Sequence, residues 1–453
     1  MKLTTREKAS YGMGAVGKDL VYILVASFFM YYCTEVLKIS GTFVGVLFMV
    51  ARVFDALNDP FMGVVVEKTN SRFGKFRPWL LIGTILNAVI LVVMFSVPSH
   101  LEGVGLLAYV SVAYIAWGVT YTIMDIPYWS MIPAITEAGT DRENISVIAR
   151  SCAGVGAAIA TALTLKAVSL LGGKNELLGF KYFSIAVAIF FIAAIVICVT
   201  NVKEHRVEKK KVVTVKEMFT SLIRNDQALV IVISIIMFNA SLYITQQLAI
   251  YFFKYDIGNK ALYSVFGVVG GATQIIAMMF LPALRKKFES KNILVGAIGV
   301  TLVGYTSLFI LGTINCKNMV LLCIAAMIIF FGFGLATVLT TIFLADTVDY
   351  GEWKDGQRND SVIFSLQTFV VKLASAVSVL IAGVGIDVIG LNEDVIEQSA
   401  QTIFGLRFIM CIIPMIGLVV SIMYFIKKYK LDQNKLEVIT KDLAERRAAN
   451  DSE

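Results

Sequence analysis

Long apolar stretches separated by short polar connections dominate the hydropathy pattern of this 453-residue chain. A helix of about 20 apolar residues is long enough to cross a bilayer whose hydrocarbon core is about 30 Å thick. Twelve stretches reach that length, so we predict an all-α membrane protein with twelve transmembrane helices. The predicted spans are 11–36, 41–65, 78–98, 104–134, 146–171, 179–200, 228–253, 262–282, 292–314, 319–346, 361–389 and 402–426.

A polar connection in the middle of the chain separates six predicted spans from six more. We predict an amino-terminal six-helix bundle over 1–200, a cytoplasmic middle loop over 201–227, a carboxy-terminal six-helix bundle over 228–426, and a cytoplasmic tail over 427–453. Transporters built from two related halves have this plan. A short repeat supports it, because the loops before the fifth and eleventh spans read DRENISVIA and QRNDSVIFS. The tail has apolar residues at helical spacing, which predicts an amphipathic helix.

The distribution of Lys and Arg predicts the orientation. Of the 40 basic residues, 28 lie in the terminal segments and loops of one side, 6 lie in or at the edge of the opposite loops, and the other 6 lie within spans. Cytoplasmic loops carry the excess of positive charge, so both termini are predicted to be cytoplasmic. The net charge of +7 is then an orientation signal and does not indicate nucleic-acid binding. Arg407 lies near a span end, and we expect it to snorkel to the interface.

Cysteine and histidine give no sign of a resident metal. The six cysteines are scattered among or beside the spans without metal-ligand spacing, and both histidines lie in predicted loops. We expect no cofactor and no proton relay based on histidine.

Two carboxylates lie one helical turn apart within the second predicted span. They are Asp55 and Asp59, and positions i and i+4 share one face of a helix. An ionised carboxylate at the membrane centre costs about 2.5–3.5 kcal/mol on insertion scales. Arg52 is one turn before Asp55 and is expected to neutralise part of this charge. A transported ion would neutralise the rest, so the pair indicates an ion-coupled carrier.

The fourth predicted span carries a carboxylate and an indole on one face. Asp125 and Trp129 are four residues apart. A carboxylate accepts hydrogen bonds from sugar hydroxyls, and an aromatic ring covers the apolar face of a sugar. Trp129 also lies near a span end, where aromatic residues often form an interfacial belt, and this alternative stays open.

Several runs of residues together resemble one family of transporters. The chain resembles the glycoside–pentoside–hexuronide:cation symporters of the major facilitator superfamily, in their melibiose-carrier branch, over residues 10–430. The runs that carry the resemblance are YGMGAVGKD (11–19), MYYCTEV (30–36), LFMVARVFDALNDPFMG (47–63), SRFGKFRPWLLIGT (71–84), WGVTYTIMDIPYWSMIPAIT (117–136), ADTVDYGEWK (345–354) and SLQTFVVK (365–372).

The resemblance implies a fold and an activity. It implies the major facilitator fold and a multi-pass protein of the bacterial inner membrane, embedded in the lipid bilayer and working as a monomer. The implied activity is secondary active symport, in which Na⁺, Li⁺ or H⁺ drives the uptake of a galactoside such as melibiose. Raffinose, a xyloside or a glucuronide stands as the alternative solute. Cation binding and sugar binding would then raise each other's affinity by the same factor.

The resemblance also implies roles for individual residues. The implied cation-binding residues are Asp55, Asn58, Asp59 and Thr122, of which Asp55, Asp59 and Thr122 would ligate the transported Na⁺. The implied sugar-binding residues are Lys18, Asp19, Asp125, Trp129 and Arg150, with Tyr121, Thr368 and Lys372 close to them.

This chain departs from the melibiose-carrier pattern at two places. Thr337 stands where the melibiose carrier has a Trp, and the residues after Asp19, from Leu20 to Tyr22, also differ. The implied cation site therefore carries over better than the implied sugar specificity.

Two other classes of membrane protein fit the sequence less well. A membrane sensor with a transporter-like body would need a signalling domain, which neither the middle loop nor the short tail provides. An intramembrane enzyme would need a nucleophile with its base or a metal-ligand cluster, and no such set is visible. The sequence therefore indicates a transporter and no enzyme.

Overall fold

The computed structural model describes residues 3–69, 71–136, 140–204, 220, 223–355, 360–392, 395 and 397–450. Within these ranges the backbone forms helices, turns and bends, without any strand. The chain divides into two compact units, Met1–Val212 and Val213–Glu453.

Six long helices form each unit. In the first they are α1 Thr5–Tyr31, α2 Gly41–Lys68, α3 Arg77–Met94, α4 Gly103–Ser130, α5 Thr140–Gly172 and α6 Glu176–Asn201. In the second they are α7 Asp226–Tyr251, α8 Leu262–Arg285, α9 Ser290–Thr313, α10 Met319–Asp355, α11 Asp360–Val388, and α12, which comprises Ala400–Arg407, a π-helical turn Phe408–Ile412, and Ile413–Lys428. A thirteenth helix, α13, covers Gln433–Asn450 in the tail.

The predicted spans correspond to these helices. In the described part of the chain, 11 helices are long and apolar enough to cross a membrane. The remaining predicted span lies on α2, whose apolar run is interrupted by Arg52, Asp55 and Asp59. The prediction of an all-α protein with six helices in each half is confirmed.

Some predicted ends were wrong by several residues. α3 ends at Met94, four residues before the predicted end at 98. α10 continues past the predicted end at 346 to Asp355. Its 37 residues span about 55 Å, which exceeds the hydrocarbon core of a bilayer.

The two halves share one packing plan. In the first half α1 packs against α5 and α6, α3 packs against α4 and α6, and α2 packs against α4. In the second half α7 packs against α11 and α12, α9 against α10 and α12, and α8 against α10. The first helix of each half thus lies at the centre of its bundle. The short repeat lies at the start of the fifth helix of each half. DRENISVIA covers 141–149 at the start of α5, and residues 360–365 of QRNDSVIFS begin α11, whereas 357–359 lie outside the described residues.

The first helix of each half also ends in the same way. α1 continues into a π-helical turn, Tyr32–Val36, and α7 into another, Phe252–Asp256. The Leu37 amide donates to the Tyr32 carbonyl at 3.0 Å, and the Ile257 amide donates to the Phe252 carbonyl at 3.1 Å. One residue further on, the backbone turns left-handed in both halves, with φ of 58° at Lys38 and 76° at Gly258. No sequence motif announced this shared geometry.

A carboxylate from the end of α6 caps the start of α3. The Glu204 side chain accepts hydrogen bonds from the backbone amides of Lys75 at 2.7 Å, Phe76 at 3.0 Å and Arg77 at 3.0 Å. Such amides have no partner within the helix, and the positive end of the helix dipole favours an anion there. Gly74 has φ of 105°, and a Cβ at this position would lie 2.5 Å from the Glu204 carboxylate. Glu204 therefore fixes the connection between α2 and α3.

The tail helix packs on protein. Leu431, Ile439 and Leu443 are buried, and the Trp353 indole N–H at the end of α10 donates to the Asp442 carboxylate at 2.6 Å. α13 contacts α10 along this side. The apolar side of the predicted amphipathic helix is thus covered by the second half.

A buried ion pair joins α12 to the end of α7. The Arg407 Nε lies 2.7 Å from Asp256 Oδ2, and its Nη2 lies 2.5 Å from Oδ1, a bidentate arrangement. The Asp256 side chain is 1% exposed and that of Arg407 is 14% exposed. Gly312 makes room for the pair, since a Cβ there would lie 3.1 Å from the Arg407 Nε. The expectation that Arg407 snorkels was wrong, because a buried carboxylate holds it in place.

We expect Asp256→Asn to lower the free energy of unfolding by about 3–5 kcal/mol, because it leaves the Arg407 charge buried without its counter-ion. The measurement is thermal unfolding of the purified protein in detergent. Asp226→Asn is the control, since its pair with Lys354 is about half exposed, and such pairs contribute about 0–1 kcal/mol. A double change, Asp256→Leu with Arg407→Met, should recover much of the lost stability. Equal melting temperatures of Asp256→Asn and the control would contradict this account.

Candidate functional site

Helix α4 presents two rows of functional side chains. Tyr121, Asp125 and Trp129 follow each other at i+4 spacing and contact side chains of α1. Gly118 and Thr122 form the second row and contact side chains of α2. The rows are one residue apart in sequence, so they lie about 100° apart around the helix. One helix therefore carries parts of two clusters.

The lysine cluster, defined as Lys18, Asp19, Tyr121, Asp125 and Trp129, is centred on a buried ammonium group. The Lys18 Nζ lies 2.8 Å from Asp125 Oδ1 and 3.0 Å from Asp19 Oδ2. It donates to the Tyr121 hydroxyl at 3.5 Å. The Lys18 side chain is only 3% exposed, whereas Asp19 and Asp125 are 20% and 29% exposed. The single charge of the lysine thus offsets one of the two carboxylate charges, and both carboxylates remain partly exposed.

Two cations lie over the indole of Trp129. The Lys18 Nζ is 4.9 Å from the ring centroid, and the guanidinium carbon of Arg150, from α5, is 5.4 Å from it. Cation–π attraction of this kind is effective within about 6 Å. Arg150 is exposed, so its donors remain accessible. These contacts favour a role for Trp129 in the cluster over the alternative of an interfacial belt residue.

Two tyrosines join α1 to α4 near the lysine cluster through reciprocal hydrogen bonds, and we call this pair the clamp. The Tyr11 hydroxyl donates to the Tyr128 carbonyl at 2.5 Å, and the Tyr128 hydroxyl donates to the Tyr11 carbonyl at 2.7 Å. Their rings are stacked with centroids 4.5 Å apart. The predictions did not include Tyr11. Its position seven residues before Lys18, two turns along the same face of α1, was the available signal.

The carboxylate cluster, defined as Arg52, Asp55, Asp59 and Thr122, lies between α2 and α4. The Arg52 Nη1 is 3.6 Å from Asp55 Oδ2, so the ion pair expected between them is present. The Thr122 hydroxyl donates to Asp59 Oδ1 at 3.3 Å. Asp55 is buried, and Asn58, on the same helix, is half-buried. The cluster offers carboxylate and hydroxyl oxygens, which hard cations prefer as ligands.

Gly118 lets the carboxylate cluster form. A Cβ at this position would lie 2.8 Å from Asp55 Oδ1, closer than real Cβ contacts. Only a residue without a side chain allows the Asp55 carboxylate to lie against the backbone of α4. The predictions did not single out Gly118, because a glycine inside an apolar span usually serves helix packing.

The predicted site residues of the second half are described within their own unit. Lys372 is half-buried on α11, and the side chain of Thr368 lies outside the described residues. One residue before Thr368, the Gln367 amide donates to the Thr341 hydroxyl at 3.0 Å. Thr337 donates to the Phe333 carbonyl of its own helix at 2.7 Å. The roles implied for Thr368 and Lys372 stay predictions.

Comparison with known families gives one match that covers most of the chain. Residues 10–433 match the model of the MFS/sugar transport protein family. An uncharacterized symporter of Bacillus subtilis, YjmB, is 29% identical over 447 residues, which cover 98% of this chain and 96% of the relative. An isoprimeverose transporter of Lactiplantibacillus pentosus is 28% identical over 448 residues, which cover 98% of this chain and 92% of the relative.

Solved structures support the fold. The crystal structure of the nucleoside transporter NupG superposes with a TM-score of 0.68 over 94% of this chain and 100% of its own, at 13% identity. At this level of identity the likeness concerns the fold alone.

We expect Lys18→Met to destabilise the protein more than Asp19→Asn does. The first change leaves two carboxylates close together without their shared cation, whereas the second leaves the Lys18–Asp125 pair intact. Breaking a buried pair by removing one partner costs about 3–5 kcal/mol. Melting temperatures in detergent measure the order. Acidic pH should narrow the gap, because protonated carboxylates need no cation. The reverse order of the two variants would contradict the central role of Lys18.

Proposed function

The chain belongs to the MFS/sugar transport protein family, and we propose that it is a secondary active symporter that couples a monovalent cation to the uptake of a glycoside. The members of this family are membrane transporters, so the chain is a multi-pass membrane transporter and not an enzyme. Our proposal includes insertion in a bacterial cytoplasmic membrane, with both termini in the cytoplasm and a functional monomer.

The observation that carries the proposal is the pairing of the two clusters on α4. Within residues 52–59, α2 brings two carboxylates and one guanidinium into a lipid-spanning helix. This local excess of negative charge requires a cation. A transported ion would supply it when bound, and a basic side chain would supply it when the ion is absent. Asp55, Asp59 and Thr122 are the proposed ligands of Na⁺, and Li⁺ and H⁺ are the other candidates.

The lysine cluster suits a solute with many hydroxyl groups. Asp19 and Asp125 would accept hydrogen bonds from hydroxyls, Lys18 and Arg150 would donate them, and Trp129 would cover an apolar face of the ring. Together with Arg150 from α5, the lysine cluster has two cationic and two anionic side chains. A neutral glycoside would therefore leave the charges balanced, and an anionic one would not.

The charge balance bears on the choice of solute. This balance favours a neutral solute over a glucuronide. The neutral candidates are a galactoside such as melibiose, the sugar raffinose, and a xyloside. Thr337, which provides no ring, weakens the expectation of melibiose in particular. The isoprimeverose transporter of Lactiplantibacillus pentosus, 28% identical, supports a glycoside as the class of solute.

Coupling would follow from the shared helix. A cation bound between α2 and α4 would help to fix α4, which also carries Asp125 and Trp129. If the cation raises the affinity for sugar, the sugar raises the affinity for the cation by the same factor. Both ligands would then bind together before transport.

We expect Asp55→Cys and Asp59→Cys to abolish cation-stimulated uptake while leaving some cation-independent sugar binding, because each removes a proposed ligand and leaves the lysine cluster intact. Uptake into membrane vesicles is measured for melibiose, raffinose, isoprimeverose, methyl xyloside and methyl glucuronide under imposed Na⁺, Li⁺ or pH gradients. Asp226→Cys is the control, because its carboxylate is half exposed in the second half. Normal Na⁺-dependent accumulation in either variant would show that the cation site is assigned wrongly.

We expect Asn58→Ala to reduce uptake driven by a Na⁺ gradient more than uptake driven by a pH gradient. Asn58 offers a neutral oxygen on the helix of the two carboxylates, and the carboxylates can still take up a proton without it, since their mutual repulsion favours the protonated form. The two gradients are compared in the same vesicles with the best solute of the panel. An equal loss under both gradients would indicate a structural residue with no influence on the choice of cation.

A further inference from the structure

Between the two clusters lies an aromatic side chain that the proposed function has not used. Tyr22 lies on α1, one turn after Lys18, and is half-buried. It is also one of the positions at which this chain departs from the melibiose-carrier pattern. Its ring contacts a member of each cluster, as the following distances show.

On one side Tyr22 contacts the carboxylate cluster. The guanidinium carbon of Arg52 lies 5.8 Å from the centroid of the Tyr22 ring. The same guanidinium is 3.6 Å from Asp55, which is longer than the contacts of a close bidentate pair. Arg52 is therefore shared between a carboxylate and an aromatic face.

On the other side Tyr22 contacts the lysine cluster. Its ring centroid is 5.5 Å from that of Tyr121, and the Tyr121 hydroxyl accepts a hydrogen bond from Lys18 at 3.5 Å. Trp117 supports both tyrosines, with ring centroids 6.4 Å from Tyr22 and 5.3 Å from Tyr121. A continuous series of contacts thus runs from Asp55 through Arg52, Tyr22 and Tyr121 to Lys18.

We propose that Tyr22 is a positioning residue that transmits occupancy of the cation site to the lysine cluster; this inference rests on the proposed function. A cation bound at Asp55 takes up charge of the carboxylate and repels the Arg52 guanidinium. The Arg52 guanidinium then moves away from Asp55 and towards the Tyr22 ring. Tyr22 passes the displacement to Tyr121, and Tyr121 alters the third contact of Lys18.

The consequence for the lysine cluster is electrostatic. Lys18 divides its donors among Asp19, Asp125 and Tyr121, so a change at Tyr121 changes how strongly the two carboxylates are held. The carboxylates are the proposed acceptors of sugar hydroxyls. Cation binding and sugar binding thereby gain the differential interaction that any coupling between sites requires.

The test uses NaCl as its only ligand and reads each cluster separately. Calorimetric titration of the purified full-length protein, at constant ionic strength, measures Na⁺ binding. The Trp129 indole lies beside Lys18, so its fluorescence reports on the lysine cluster. The Trp129 emission is obtained by subtracting the fluorescence of the same protein with Trp129→Phe. In the wild type we expect Na⁺ to change the Trp129 emission with the half-saturation that calorimetry gives.

Tyr22→Leu should still bind Na⁺, with lower affinity because the displaced Arg52 loses the ring that receives it. Its Trp129 response at saturating Na⁺ should fall to a small fraction of the wild-type response. Tyr22→Phe keeps the ring and should keep the response. Tyr109→Leu is the matched control, since Tyr109 is a half-buried tyrosine at the other end of α4 that donates to the Val93 carbonyl. It should alter neither signal. If Tyr22→Leu fails to fold, Tyr22→Met, which also lacks the ring, replaces it.

The outcomes separate this inference from the proposed function. A full Trp129 response in Tyr22→Leu would overturn the role of Tyr22 and assign the coupling to the α4 backbone, with the cation site intact. Na⁺ binding to the wild type without any Trp129 response would overturn it as well. Absence of calorimetric Na⁺ binding in the wild type would instead refute Na⁺ as the proposed cation, and the inference with it.

Discussion

Charge buried in a lipid-spanning helix must be neutralised, and the arrangement of the described helices depends on this constraint. Lys18 lies between two carboxylates, Arg52 lies beside Asp55, and Arg407 forms a bidentate pair with Asp256. An isolated charge at the membrane centre costs about 2.5–3.5 kcal/mol even on the mildest scale, so each pair also decides which helices adjoin. The carboxylates beside Lys18 are 20% and 29% exposed, whereas the pair of Arg407 with Asp256 is nearly enclosed and serves stability.

Helix α4 makes the lysine cluster and the carboxylate cluster interdependent. Its two rows of side chains face α1 and α2, and neither row can shift without the other, because a helix is stiff along its backbone hydrogen bonds. Gly118 is needed for the row that faces α2. The hydrogen bonds between Tyr11 and Tyr128 hold α4 against α1. Such a helix suits the proposed symport, in which the cation and the sugar bind together.

The sequence predicted the helices and the charged residues within them better than the contacts between them. Apolar runs predicted the helices, and the carboxylates on α2 and α4 were visible because charge is rare in a membrane span. Contacts between distant segments were not visible. Glu204 capping α3, Asp256 holding Arg407 and Tyr22 lying over Arg52 all depend on tertiary packing that no local pattern encodes. The roles implied for Thr368 and Lys372 in the second half rest on resemblance alone.

Charge and shape make different contributions to the choice of solute. Under the proposed function, the balanced charges of the lysine cluster and Arg150 would select a class, the neutral polyhydroxylated molecules, because an added anion would disturb two ion pairs at once. They do not select among members of that class, since all of them offer hydroxyls. Selection within the class must come from residues that set shape, and this chain differs from the melibiose-carrier pattern at two such residues, Tyr22 and Thr337. Tyr22 adds a ring beside Tyr121, and Thr337 bonds its own helix and provides no ring. Under the proposed function, the same cation chemistry would therefore drive the uptake of a glycoside of different shape from that of the melibiose carrier.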